Sequence, residues 1–550
     1  MANQKIIIYD TTLRDGTQRE GLSLSVEDKV RIAERLDRMG VAFIEGGWAG
    51  ANPKDGKFFE RMHEQPLNNA EAVVFCSTRR AGITAKDDPM LVPILEAQTK
   101  WITIFGKSWD LHVIEGLRTT LDENLAMISD TIAYLKSCDR QVLYDAEHWF
   151  DGYKNNSEYA LQTLKAAYDA GAAWFVLCDT NGGTLPDEIG KITQTVYDNL
   201  CQWGSAVPKI GIHTHNDAGL AVANAIAAVQ HGATMVQGTI NGYGERCGNA
   251  NLCTVIPNLQ IKMGYECIKP SNLNQITEVS RQISEIVNLA PDDHAPFVGA
   301  SAFAHKGGIH VSAVQRNPLT YEHIAPESIG NLRRIVISEQ AGISNVISKV
   351  ETFGICLRKE DAACRQILQK TKELEQIGYQ FESAEASFEL LVREALGDRP
   401  KFFAISNFYV YCNTDSDRLD GTVNSQATVK VIVKDVEQLT AAEGNGPVAA
   451  LDRALRKALI SFYPEIANFY LTDYKVRILN SDCGTQATTR VLIEFSNGKR
   501  RWSTAGVSDN IIDASCKALG EGLEYGLLSA LRYVTGDPHP PAPSPAGEGE

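Results

Sequence analysis

Eight short apolar runs recur through residues 1–265, and each gives way to a helical stretch. They are KIIIYD (5–10), AFIEGG (42–47), AVVFCS (72–77), WITIFG (101–106), QVLYDAE (141–147), WFVLCDT (174–180), KIGIHTH (209–215) and MVQGTI (235–240). Stretches such as SVEDKVRIAERLDRMG and NSEYALQTLKAAYDAG lie between them. In the first, Val26, Val30, Ile32, Ala33 and Leu36 form one apolar face, and Gly40 is placed to close the helix. Eight strand–helix units in about 250 residues predict an α/β fold, a (β/α)8 TIM barrel. A doubly wound sheet is the competing arrangement. The near-regular spacing, with polar residues gathered where strands end, favours the barrel.

The rest of the 550 residues changes character twice. Residues 266–400 read as helical linker subdomains with a Gly- and His-containing middle, HKGGIHVSAVQRNPLTYEHI, and Pro400 marks their end. Residues 401–535 are rich in strands and contain a weak repeat. QATVKVIV (426–433) matches QATTRVLIEF (486–495), and each is followed by a glycine turn and a long helix. A duplicated strand-strand-strand-helix unit, packed as one α+β domain, is the simplest reading. Residues 536–550, GDPHPPAPSPAGEGE, lack apolar bulk and are expected to be a disordered tail.

Composition bounds the function. A net charge of −15 without a basic stripe argues against nucleic acid as a partner. No run of eighteen apolar residues suits a membrane span, and the N-terminus does not read as a signal peptide, so a cytoplasmic protein is expected. The twelve cysteines are scattered singly with no C-x-x-C pair, as in reduced thiols.

In such a barrel the active site forms where the strands end. Polar residues there are Arg14, Asp15 and Gln18; Glu45; Lys107 and Ser108; Asp145 and Glu147; Asp179, Thr180 and Asn181; His213 and His215; and Glu245, Arg246 and Asn249. His213 and His215 are two apart on one strand, so both imidazoles project to one side, opposite Thr214 and Asn216. Two imidazoles and an oxygen donor suit a divalent ion with open positions. Barrel closure would bring Asp15, after strand 1, beside strands 8 and 7, and Asn249 could add an amide oxygen. An isolated H-x-H more often just ends a strand; the ring of neighbouring loops favours the metal site. Arg14 beside such a carboxylate is suited to neutralise a developing oxyanion rather than to form a surface salt bridge. Gly242, Gly244 and Gly248 allow a tight turn but are misplaced for a dinucleotide fingerprint. Cys247 is expected to be buried and inert, Glu123 and Asp130 to form a solvated helix face, and Asn216 and Asp217 to shape their loop.

DTTLRDGTQ, DTNGG, HTHNDAGLAVAN and NGYGERCGNANL, in this order, resemble the signature blocks of the acyltransferases that condense acetyl-CoA with a 2-oxo acid: the isopropylmalate, homocitrate and citramalate synthases. Residues 305–345 resemble the linker of that family, and 401–535 its LeuA dimer-type regulatory domain. DAEHWFDGYK and FGKSWDLHV look most like the long form of the pyruvate-using branch. Asp145-Ala146 and Ile102-Thr103-Ile104 depart from the leucine-pathway pattern.

The resemblance implies a divalent metal, zinc, manganese or magnesium, held by Asp15, His213, His215 and Asn249. It implies that Arg14 polarises the 2-oxo group, Gln18 and Thr180 bind substrate, and Glu147 is acid/base, with His310 and Tyr321 of the linker completing the site. It further implies acetyl-CoA as co-substrate, citramalate and CoA as products, a place in threonine-independent isoleucine biosynthesis, a homodimer and isoleucine as feedback effector. Glycine turns before the helices at GNGPV and GVSDN could present N-termini to an effector carboxylate. The rival readings are isopropylmalate or homocitrate synthase, a hydroxymethylglutaryl-CoA-type lyase, which lacks the appended domain, and an inactive amino-acid sensor.

Overall fold

The computed structural model describes residues 4–338, 341–413, 424–480, 484 and 486–535; the expected tail, 536–550, lies outside them. The chain divides into two compact units, Met1–Phe303 with Ile324–Leu332, and Ala304–His323 with Arg333–Glu550.

In the first unit the eight apolar runs are eight strands: β1 (Ile7–Asp10), β2 (Phe43–Gly47), β3 (Glu71–Ser77), β4 (Trp101–Lys107), β5 (Gln141–Glu147), β6 (Trp174–Asp179), β7 (Ile210–Thr214) and β8 (Ala233–Gly238). They form a closed parallel barrel, with β1 pairing both β2 and β8. The period of two along each strand sorts the side chains into two cores. Ile8, Ile44, Val74, Ile102, Val142, Leu177, Ile212 and Val236 face the surrounding helices. Tyr9, Phe43, Val73, Leu143, Trp174, Val176 and Met235 fill the barrel's interior. On β7, Gly211 leaves room for Val176; a Cβ there would lie 2.8 Å from Val176 Cγ2.

The helices begin and end where local chemistry directs. Ser25 and Asp28 form a reciprocal capping box at the start of helix Val26–Met39, and Gly40 ends it at φ 91°. The unit runs past residue 265 to Phe303, because helix Ile276–Ile286 buries Ile276, Val279 and Ile283 in the outer core. Glu123 and Asp130 correct an expectation. They are not merely a solvated face: they hold Arg79 at 2.8 and 2.7 Å, and its side chain is only 8% exposed. A nearly buried guanidinium needs counter-charges, and helical spacing alone does not reveal this one.

The second unit begins with β9 (Ala304–His305) paired to β10 (Arg334–Ile335). Helices Ile343–Glu351, Ala362–Gln376 and Glu385–Leu396 follow, sharing a core of Val346, Val350, Ile367, Phe388 and Val392. Two antiparallel three-stranded sheets come next. The first is β11 (Ala404–Asn413), β12 (Asn424–Val433) and β13 (Val436–Gly444), then helix Pro447–Leu459. The second is β14 (Tyr470–Ile478), β15 (Thr489–Ser496) and β16 (Arg501–Ser508), then helix Ile511–Thr535. The duplicated unit is therefore real. Val429, Val431 and Val433 in one copy and Val491, Ile493 and Phe495 in the other are fully buried in a common core. Gly444 and Gly506 let each helix approach its own sheet; a Cβ on either would collide with the helix backbone at Ala450 or Ala514.

Asp37, 3% exposed, ends a turn by accepting backbone N–H bonds from Asn68, Asn69 and Ala70 at 3.1, 2.7 and 2.8 Å. Asp37→Ala leaves these donors unmatched and is expected to cost about 3 kcal/mol. A lowered urea midpoint for the barrel transition checks this.

Candidate active site

The loops after β1, β7 and β8 meet at one place. Asp15, on the turn after β1, lies with His213 and His215 so that one donor atom from each falls within 4.8 Å of the others. His213 Nε2 is 3.1 Å and His215 Nε2 3.7 Å from Asp15 Oδ2. Asn249 Nδ2 is 2.7 Å from the same oxygen and 3.3 Å from His213 Nε2. All four residues are buried.

This donor set fits a divalent ion. Asn249 Oδ1 is buried without a hydrogen-bond partner. Turning that amide over puts the oxygen among the other donors, beside Asp15 Oδ2 and His213 Nε2. His213 Nδ1 donates to Gln237 Oε1 at 2.9 Å, which fixes the ring with its Nε2 turned toward Asp15. Gln237 Nε2 in turn donates to Asp145 Oδ1 at 3.1 Å. Gln237 was not among the sequence candidates. Its signal was faint: a lone amide at an inward position of an otherwise apolar strand.

Electrostatics follow from burial. Burial alone would raise the Asp15 carboxyl, but Arg14 and the hydrogen bond from His213 hold it well below the usual carboxylate range. Burial works against protonation of His213, yet Asp15 raises its pKa overall. Burial, then the neighbouring His213, press His215 down to about 4. Burial, then the charge of Glu45, push Asp145 up to about 7.

Arg14 is held rather than free. Its Nε meets Glu45 Oε2 at 2.5 Å, its Nη1 lies 3.4 Å from Asp15, and the guanidinium sits 3.9 Å over the Phe75 ring. Glu45, fully buried, also accepts from Tyr9 Oη at 2.7 Å. A cavity of about 400 Å³ opens here, walled by Trp48 and the stacked rings of Phe75 and Phe105. Arg14, Asp15, Gln18, Glu147, Thr180, His213 and His215 all line it. Glu147 is ion-paired with Lys107. Thr180 Oγ1 accepts from the backbone N–H of His148 at 2.9 Å, so its hydroxyl hydrogen is left to donate elsewhere.

The structure thus brings together Arg14, Asp15, Gln18, Glu147, Thr180, His213, His215 and Asn249. His310 and Tyr321 belong to the second unit, where their rings lie 4.3 Å apart. Asn216 and Asp217 shape the loop: Asn216 Oδ1 accepts from Ala221 N at 3.2 Å, and Asp217 pairs with Arg246 at 2.7 Å. Arg246 also donates to Thr180 O at 2.7 Å and so ties the loops after β6, β7 and β8. Cys247 is exposed, not buried. The left-handed residues Arg246 (φ 56°) and Gly248 (φ 88°) turn the chain outward there, while Asn249 goes inward.

Three known families match successive parts of the chain. Residues 5–283 match the HMGL-like family, residues 297–378 the homocitrate synthase post-HMGL domain-like family, and residues 382–527 the LeuA allosteric (dimerisation) domain. These matches and the relatives below make the chain an acyltransferase-type condensing enzyme of the HMGL-like class. The chain is 64% identical to the (R)-citramalate synthase of Synechocystis sp., over 96% of this chain and 97% of that one. It is 51% identical to the (R)-citramalate synthase of Aquifex aeolicus, over 96% and 98%. The 2-isopropylmalate synthase of the same Aquifex is 30% identical over 96% of each chain. The chain belongs to the (R)-citramalate synthase family.

Two predictions follow from the geometry. Gln237→Met frees the His213 ring and is expected to weaken divalent-metal retention about 10- to 100-fold, measured by chelator competition. Asp145 binds its proton more tightly folded than unfolded, so in metal-free protein it takes stability away as pH rises from 3.8 to about 7. Asp145→Asn keeps the acceptor and removes the titration. Its melting temperature is expected to fall less than wild type's between about pH 5 and pH 8.

Proposed function

We propose that this chain condenses acetyl-CoA with pyruvate and hydrolyses the resulting thioester, giving (R)-citramalate and CoA. The observation that carries the reading is the convergence of Asp15, His213 and His215 on a cavity also lined by Arg14, Thr180 and Glu147. In this reading Asp15, His213, His215 and Asn249 hold a divalent ion. When bound, such an ion supplies Lewis acidity to the 2-oxo group of the substrate.

The chain's own residues do the rest. Thr180, its oxygen already accepting from His148 N, donates its hydroxyl hydrogen to the pyruvate carboxylate. Gln18 adds a polar group at the mouth. Arg14, fixed by Glu45, presents positive charge where the ketone oxygen becomes an alkoxide. Glu147 removes a proton from the acetyl methyl, with Lys107 beside it to hold the carboxylate in place. The enolate carbon then attacks the ketone carbon and the alkoxide takes up a proton. Water cleaves the thioester and CoA leaves as its thiol. The stacked Phe75 and Phe105 rings keep the reacting end of the cavity apolar.

The proposal extends to the setting. A match to the LeuA allosteric (dimerisation) domain supports a homodimer with an amino-acid effector, for which we propose isoleucine, received at the helix N-termini after Gly446 and Asn510. Among the described residues no helix is long and apolar enough to cross a membrane, which supports a cytoplasmic enzyme of isoleucine biosynthesis.

CoA release from acetyl-CoA, assayed with pyruvate, 2-oxoisovalerate and 2-oxoglutarate, with and without isoleucine and leucine, tests the reading. Pyruvate is expected to be preferred about tenfold or more; preference for either other acid overturns it. Glu147→Gln is expected to lose about 100-fold or more in kcat while pyruvate still binds. A near-normal rate removes Glu147 as the base.

A further inference from the structure

The second unit holds a cavity of about 390 Å³ that the condensation does not use. Lys306, Glu375, Glu382, Arg477 and Arg490 line it, with Gly378 and Tyr379. Arg477 and Arg490 are direct cross-strand partners on antiparallel β14 and β15. Their Cα atoms are therefore only about 4.5–5.5 Å apart, and like charges so opposed destabilise a sheet.

The duplication supplies an internal control. Aligning QATVK with QATTR places Lys430 of the first sheet at the position of Arg490 in the second. Lys430 is neutralised in the ordinary way, its Nζ 2.7 Å from Glu437 Oε1. Arg490 is treated differently. Its Nη1 donates to Gly378 O at 3.1 Å, and its Nε is buried with no acceptor among the described residues. Gly378, at φ 109°, brings that carbonyl close because it has no side chain; a Cβ would collide with Leu479. Burial and the charge of Arg477 both press the Arg490 pKa down, against the weaker pull of Glu375. Glu382, the other acid in the wall, is ion-paired with Lys306. Two arginines thus line one open cavity from directly paired positions, one with a buried unmatched donor.

We propose that Arg477 and Arg490 form a binding site for a phosphate dianion, free or carried as a monoester on a small metabolite. A dianion offsets both charges at once. Its oxygens match the planar donor forks of two guanidiniums, and Arg490 Nε gains the acceptor it lacks. The cavity is large enough for a metabolite rather than only an ion.

The test uses the full-length chain, with inorganic phosphate and glycerol 3-phosphate as probes, titrated at constant ionic strength by calorimetry and by thermal melting. Saturable binding is expected, weakened about tenfold or more by Arg477→Gln and by Arg490→Gln. Lys430→Gln, the equivalent change in the first sheet, is expected to bind as wild type does. Without phosphate, Arg477→Gln should melt no lower than wild type, because it removes a repulsion from an exposed position; this separates lost binding from lost folding. Tighter binding of glycerol 3-phosphate assigns the site to a phosphomonoester, and tighter binding of inorganic phosphate to the free ion. No saturable response to either probe, or wild-type affinity in Arg490→Gln, overturns the proposal.

Discussion

Pairing of β1 with β8 is the constraint on which the first unit depends. It turns eight parallel strands into a ring, so that no strand edge is left unpaired. Closure also makes neighbours of residues at the two ends of the sequence. Asp15 and Asn249 are 234 residues apart, and their side chains meet at 2.7 Å only because the ring is shut.

A closed barrel has a crowded interior, and polar groups inside it must find partners or cost free energy. Below the mouth the interior is apolar. Near the mouth it becomes a network: Tyr9 to Glu45 and Thr103, Glu45 to Arg14, Arg14 to Asp15, Asp145 to Gln237, and Gln237 to His213. Each contact fixes the next. The candidate metal donors are therefore held by Arg14 and Gln237, which Glu45 and Asp145 fix in turn, and these buried acids count as support for the site rather than as spare acids.

The second unit shows what duplication leaves unconstrained. Both copies keep the three strands, the glycine before the helix and the buried aliphatic face, since each sheet must cover its own helix. The positions outside that core have diverged. A lysine paired with Glu437 in one copy is an arginine facing another arginine in the other. Packing does not demand the second arrangement, which is why it points to a ligand.

Periodicity was enough to read the barrel, the repeat and the helix ends, because a pattern of apolar residues reports which face of an element is buried. It also put His213 and His215 on one face, and chain order around a ring placed Asp15 and Asn249 near them. It could not say what each polar residue would meet. The role of Gln237, the burial of Arg79 between Glu123 and Asp130, the outward turn of Cys247 and the opposition of Arg477 to Arg490 all depend on side chains from distant segments. Apolar patterning and capping residues are enough to tell which faces turn inward and where strands and helices begin. Which charges are neutralised, and by which partners, emerges with the folded chain, because neutralisation needs contact within a few ångströms, and closure and sheet register set those contacts.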